Sequence, residues 1–124
     1  MMNNSHYFYR TVIYTRKNND VGLVDINQPD SVTPLDEWLG LVVSLADGAH
    51  SIQELLDYIS HRYASVPANL EKTVHSVIER LQEGNLIKLS DSPVVLPYYL
   101  VEPIEALDLE KARKLIAEDG YTVH

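Results

Sequence analysis

Residues 7–16 (YFYRTVIYTR) are dense in aromatic and β-branched side chains and contain neither glycine nor proline, which predicts a strand. Asn18-Asn19-Asp20 is turn chemistry, because Asn and Asp tolerate left-handed backbone angles. Residues 21–26 (VGLVDI) predict a second strand, pairing with the first as an antiparallel hairpin. Asn27-Gln28-Pro29-Asp30 breaks the pattern, and the short extended piece Ser31-Val32-Thr33 is a candidate third strand.

The periodicity then changes from two to about 3.6. Thr33-Pro34 offers a capping residue and a proline at a helix start, with Asp36 as a later candidate for the same role. Trp38, Leu39, Leu41, Val42 and Leu45 form a broad apolar face, and Asp47-Gly48 predicts the helix stop. Ser51-Ile52-Gln53-Glu54 is a capping box, in which the Ser and Glu side chains each satisfy a free backbone N–H. The helix it opens carries Ile52, Leu55, Leu56, Ile59 and Tyr63 at helical spacing. After Ser65-Val66-Pro67, a third helix carries Leu70, Val74, Val77, Ile78 and Leu81 and stops at Gly84. Residues 86–89 (LIKL) predict one short strand. Three helices followed by a strand are the pattern of a winged helix-turn-helix unit. With strands ahead of it, the fold class is α+β, an N-terminal antiparallel sheet of two or three strands preceding that unit.

Beyond Ser92 the character shifts, which divides the chain into a domain over residues 1–92 and a C-terminal extension over 93–124. Pro93, Pro97 and Pro103 punctuate an apolar segment that reads as extended rather than helical. Its run of residues 94–101 is expected either to pack back on the domain or to serve as an interface. A last helix is predicted from Asp108 to about Glu118, with Leu109, Ala112 and Ile116 on one face and Gly120 as its stop.

Composition narrows the function classes. The 124 residues contain no cysteine, which excludes a disulfide framework, a zinc ribbon and a thiol nucleophile. No signal-like segment is visible at the N-terminus, and the longest apolar stretch, 39–46, is too short to span a bilayer. The expectation is a soluble, cytoplasmic protein that binds no membrane. A net charge of −8 opposes a phosphate backbone. Between residues 51 and 92, Arg62, Lys72, Arg80 and Lys88 face Glu54, Asp57, Glu71, Glu79, Glu83 and Asp91. Lys72 and Arg80 read as lying apart on the third helix. Nucleic acid is therefore not an expected partner, with a winged-helix DNA-binding regulator kept as the alternative.

Catalytic chemistry has no foothold. His6, His50, His61, His75 and His124 form no metal-ligand spacing, so no metal is expected. Asp57 and His61 are a helical i,i+4 pair, which reads as local surface support. The glycines are isolated, so no phosphate loop is present, and no Ser or Thr has a nucleophile-elbow context. The expectation is a non-enzyme without catalytic residues or cofactor.

The stretch Leu35-Asp36-Glu37-Trp38-Leu39-Gly40-Leu41-Val42-Val43-Ser44-Leu45-Ala46-Asp47-Gly48 resembles the first helix of PqqD-like proteins, down to the closing Leu-x-Asp-Gly. Ser51-Ile52-Gln53-Glu54-Leu55-Leu56 is similar to the segment that follows in that family, and Arg80-Leu81-Gln82-Glu83-Gly84-Asn85-Leu86-Ile87 to the end of its third helix. The resemblance covers residues 7–90 and is strongest over 35–90. It implies a peptide-recognition module of ribosomal natural-product pathways. Such a module takes the leader of a precursor peptide as an added strand against its third strand, in a groove walled by the third helix. It then presents the peptide to a modifying enzyme such as a radical S-adenosylmethionine maturase.

Carried onto this chain, the expected peptide-binding residues are Ser31, Val32 and Thr33 on the strand edge, and Thr73, Val77 and Arg80 on the helix. Arg80 suits leaders rich in acidic and aliphatic residues; the alternative is a solvated charge paired with an acidic neighbour. The chain departs from the family pattern in two places. Pro34 sits where the third strand should end and removes a donor from whichever edge it faces, shortening the augmenting edge to about residues 30–33. The tail from Pro93 exceeds the family core and is open to three roles: covering the groove, bracing the domain or docking on the enzyme. An unpaired edge also permits strand-mediated homodimers, and an accessory protein–protein interaction subunit is a further alternative.

Overall fold

The aromatic N-terminal run forms two strands rather than the single one its composition predicts. β1 (Tyr7–Arg10) and β2 (Tyr14–Lys17) belong to different sheets. The break has a local cause: the Thr11 amide donates to the Leu86 carbonyl at 2.9 Å and its hydroxyl to the Asn85 carbonyl at 2.8 Å. The loop after the third helix thus captures Thr11, while Val12 and Ile13 turn inward and are buried. The structure, a computed structural model, describes residues 3–17, 20–25, 27–62 and 68–120. The expected turn at Asn18-Asn19, Ile26, Tyr63 of the second helix, the break at Ser65-Val66-Pro67 and His124 lie outside the described residues.

The remaining elements are β3 (Asp20–Asp25), β4 (Gln28–Pro34), α1 (Glu37–Leu45), β5 (Asp47–Ser51), α2 (Ile52–Arg62), α3 (Leu70–Glu83), β6 (Ile87–Ser90), α4 (Tyr98–Val101), a 3-10 turn (Ile104–Ala106) and α5 (Leu109–Asp119). The fold is α+β, with strands ahead of the helices as expected. Its strands form two antiparallel three-stranded sheets, ordered β5-β1-β6 and β2-β3-β4. The expected hairpin is β2 with β3, in the register Tyr14↔Leu23 to Lys17↔Asp20.

Helix ends follow their sequence signals. Asp36 caps α1, its Oδ1 accepting from the Leu39 amide at 2.8 Å. The capping box closes in both directions, Ser51 N–H to Glu54 Oε1 at 3.0 Å and Glu54 N–H to Ser51 Oγ at 3.2 Å. Asp108 caps α5, and Gly120 ends it in the left-handed conformation at φ 69°. The helix stop expected at Asp47-Gly48 is not where α1 ends: the helix closes at Leu45 with Ala46 as its C-cap. Gly48 lies within β5 at φ 78°, where a Cβ would collide with the Val94 carbonyl oxygen. The tail crosses β5 at that point, where the Val94 amide donates to the Gly48 carbonyl at 2.8 Å.

The segment between Pro97 and Pro103 departs from expectation. It holds one turn of helix, α4, because Pro97 precedes the helix as its N-cap residue and residues 98–101 are free of proline. Leu96, Tyr99 and Leu100 are buried, whereas Val95 is 96% exposed. Most of the apolar tail therefore packs back on the domain.

Two hydrophobic clusters result. Phe8 and Tyr14 join Val42, Ile52, Ile59, Val74, Ile78 and Leu81 beneath the three helices. Ile13 and Val24 join Leu96, Tyr99, Leu100, Ile104 and Ala112 beneath the tail. The β2-β3-β4 sheet stands between them. Its Tyr14–Val21 face meets α1, so closely that a Cβ on Gly40 would lie 3.0 Å from Val21 Cβ. Its Ile13–Val24 face meets the tail.

Arg10 joins the two clusters. It is 1% exposed, and its guanidinium donates to four backbone carbonyls: Val43 at 3.0 Å, Ser44 at 3.2 Å, Leu100 at 2.6 Å and Val101 at 2.5 Å. Its Cζ lies 4.4 Å from the centroid of the Tyr14 ring. Burial lowers the Arg10 pKa from its ordinary value and raises that of Tyr14.

Replacing Arg10 by Met removes the guanidinium donor from four carbonyls, two at the end of α1, where Val43 keeps only the Ala46 amide at 3.3 Å, and two at the end of α4. Arg10→Met is expected to destabilise the fold by about 2–4 kcal/mol. Arg10→Lys recovers only part of this, since an ammonium lacks the planar fork. Urea denaturation midpoints check both, and an unchanged midpoint for Arg10→Met refutes the bridging role.

The tail is also tied to β2 by Glu105, whose carboxylate accepts from the Thr15 hydroxyl and, at 3.0 Å, from the Arg16 amide. Partial burial works to raise the Glu105 pKa, but these two hydrogen bonds, with Lys17 nearby, outweigh it and hold the group below its ordinary value of 4.5. A lowered folded-state pKa means stability that is present above the unfolded value and lost as pH falls through the folded one. The Thr15 and Arg16 amide resonances are therefore expected to move as pH falls below about 4.5. In Glu105→Gln this acid-dependent movement should vanish.

Candidate functional site

The end of α1 that Asp36 caps lies against the flank of α3, and a groove of about 370 Å³ runs between them. Asp36, Trp38 and Leu39 form one wall. Lys72, Thr73, Ser76, Val77 and Arg80 form the other, with Asn69 at the start of α3. The core stripe of α3 (Leu70, Val74, Ile78, Leu81) faces inward and sets the helix's rotation. That rotation leaves Thr73 half-buried, Val77 8% exposed at the groove floor, and Lys72, Ser76 and Arg80 exposed on its rim.

Three of the six sequence-predicted residues, Thr73, Val77 and Arg80, thus come together in one groove. Arg80 is not paired with an acidic neighbour: among the described residues no carboxylate lies within ion-pair distance of it. One expectation is corrected. Lys72 and Arg80 do not lie apart on the helix; Lys72, Ser76 and Arg80 follow the i, i+4, i+8 ridge and line the same groove. That spacing was readable from the sequence. Trp38 and Leu39, assigned there only to an apolar face, are the other missed wall.

Ser31, Val32 and Thr33 lie on β4, exposed and outside the groove lining. β4 is an edge strand, paired on one side with β3 alone. Its register is irregular: Val24 faces Val32 while Asp25 faces Gln28, so residues 29–31 are extra and Ser31 stands outside the ladder. The regular edge is residues 32–34. Its polarity follows from one bond, the Leu35 amide to the Val21 carbonyl at 3.0 Å. In an antiparallel pair, groups alternate between partner and open side. Thr33 therefore bonds to Leu23, and Val32 and Pro34 face outward. The missing N–H of Pro34 thus falls on the free edge, leaving the Val32 amide as donor beside the Val32 and Pro34 carbonyls.

No family model matches the chain, and neither a curated protein nor a solved structure is significantly similar to it. The site therefore rests on its own geometry.

Other clusters offer less. A shallow cleft lined by His50, Glu54, Asp57, Tyr58, His61 and Arg62 lies on α2. Its histidines are engaged locally, His50 Nδ1 with Asp47 Oδ2 at 3.0 Å and His61 Nδ1 with the Asp57 backbone carbonyl at 2.6 Å. The Asp57 carboxylate instead takes Gln53 Nε2 at 3.1 Å. Among the described residues, no three His, Asp or Glu side chains converge as a metal site. Among the same residues, no helix is long and apolar enough to cross a membrane.

The polarity of the edge is open to hydrogen exchange. The Thr33 and Leu35 amides are expected to be protected and the Val32 amide to exchange much faster. Equal protection at Val32 means the edge is covered in solution.

Proposed function

We propose that the chain is a non-catalytic adaptor. It binds the leader of a ribosomally made precursor peptide and presents it to a separate modifying enzyme, such as a radical S-adenosylmethionine maturase. The observation that carries this reading is the groove on α3, whose wall residue Asp36 follows two residues after the end of the open-edged strand β4. The groove holds Val77 at its floor, Trp38 and Leu39 on one wall, and two cations, Lys72 and Arg80, with no carboxylate partner among the described residues. An extended peptide gains affinity from backbone hydrogen bonds at an edge and selectivity from side-chain pockets beside it. Binding the leader in this way lowers the entropic cost of positioning the core peptide at the partner's active site.

The resemblance to PqqD-like proteins over residues 35–90 supports the same reading. So does the place of the tail, whose described residues pack against the Ile13–Val24 face and do not line the α3 groove.

The regulator reading has less behind it. A DNA-reading winged helix ordinarily follows its third helix with a hairpin that contacts the duplex. Here the strand after α3 pairs with β1 from the N-terminus. The exposed side of α3 also carries Glu71, Glu79 and Glu83.

Trp38, the chain's one tryptophan, reports on the groove. Titrating the protein with the leader encoded by a short open reading frame beside its gene should shift Trp38 fluorescence and the amide signals of Thr73, Val77 and Arg80. Arg80→Glu should weaken that binding by up to about fivefold, and more at low salt. A response confined to the tail after Ser92, or retention of duplex DNA with no response to the leader, refutes the adaptor reading.

A further inference from the structure

Resting on the peptide-binding reading, we infer that the ligand is a diacidic extended segment of the form acidic–x–apolar–x–acidic, held between Lys72 and Arg80. The two cations stand eight residues apart on one ridge of α3, which at 1.5 Å per residue separates their backbones by about 12 Å. Between them Ser76 stands on the rim, and below it Val77, 8% exposed beside half-buried Thr73, gives an apolar contact with Trp38 and Leu39 opposite. In an extended chain, residues four apart lie on the same face, about 13 Å from one another. The residue midway between them also projects to that face. A carboxylate, an apolar side chain and a second carboxylate, at positions one, three and five, therefore match the cation, floor and cation of the groove.

Charge supports this class of occupant. The protein carries a net charge of −8, yet Lys72 and Arg80 have no carboxylate within ion-pair distance among the described residues. Asp36 is the one acid in the groove lining, and its Oδ1 is engaged by the Leu39 amide. The open edge explains why side chains carry the selectivity. With Pro34 facing outward, an added strand finds few donors, so main-chain pairing contributes less than along a longer edge.

The test uses synthetic probes read by Trp38 fluorescence: Glu-Ser-Leu-Ser-Glu within a Gly-Ser frame, a version with the acids three residues apart, and one with them six apart. The four-residue spacing should bind about tenfold more tightly than either alternative. Lys72→Glu and Arg80→Glu should each weaken it by up to about fivefold; both side chains are exposed, so both variants retain the fold. The double variant should instead prefer Lys-Ser-Leu-Ser-Lys. Equal binding at all spacings, or no effect of Lys72→Glu, overturns the two-anchor inference. If the encoded leader still binds with an Arg80-dependent Trp38 response, the adaptor reading survives that loss. Silence from every probe and from the leader removes both.

Discussion

One buried guanidinium holds the two halves of this molecule together. Arg10 leaves the middle strand of one sheet and donates to the last carbonyls of α1 and of α4. No residue in the last turn of α1 supplies a cation, so Arg10 supplies it from outside and meets the negative end of that helix. Desolvating the charge is costly, and only the full set of acceptors offsets it. The carbonyls must therefore converge, which fixes the tail against the domain. It also fixes the step from β1 to β2, because Tyr14 must lie beneath the guanidinium.

That constraint also bears on the open edge of the second sheet. The tail packs on one face of the β2-β3 hairpin and α1 on the other, while the side chains of residues 30–34 on β4 stay exposed. Gly22 lets β4 approach β3 closely: a Cβ there would lie 2.7 Å from Val32 Cγ1 and 2.9 Å from the Thr33 carbonyl oxygen. The extra residues 29–31 and the outward Pro34 then interrupt the edge. These are the devices by which edges are kept from pairing indiscriminately, and they leave only residues 32–34 as a regular open edge.

The helices were legible in the sequence because their signals are local: the cap at Asp36, the box at Ser51 and Glu54, and the left-handed stop at Gly120 each involve residues a few positions apart. The α+β class followed from order alone. The sheets were less legible, because strand partners are set by distant contacts. β5 was hidden within what reads as a helix stop, and the division of residues 7–16 depends on Thr11 meeting Asn85 and Leu86. The role of Arg10 could not be read locally, since its four acceptors lie more than thirty residues away in sequence. In the groove, Thr73, Val77 and Arg80 followed from helical phase. Lys72 obeys the same phase but was misassigned, and Trp38 enters only through the packing of α1 on α3.

The position of β1 bears on what such a scaffold can bind. Lying between β5 and β6, it occupies the middle of the sheet beside the helix-turn-helix unit, and the chain after β6 proceeds to the tail. A hairpin that would reach toward a duplex is replaced by a strand already paired on both sides. Under the proposed function, recognition falls to the flank of α3 and to the β4 edge, which ends two residues before Asp36. A groove of about 370 Å³ with an apolar floor and two cations cannot span a double helix. It is commensurate with a few residues of extended chain, whose side chains reach it on alternate positions. Under the adaptor reading, the pairing of β6 with β1 and the open edge of β4 favour the same class of ligand.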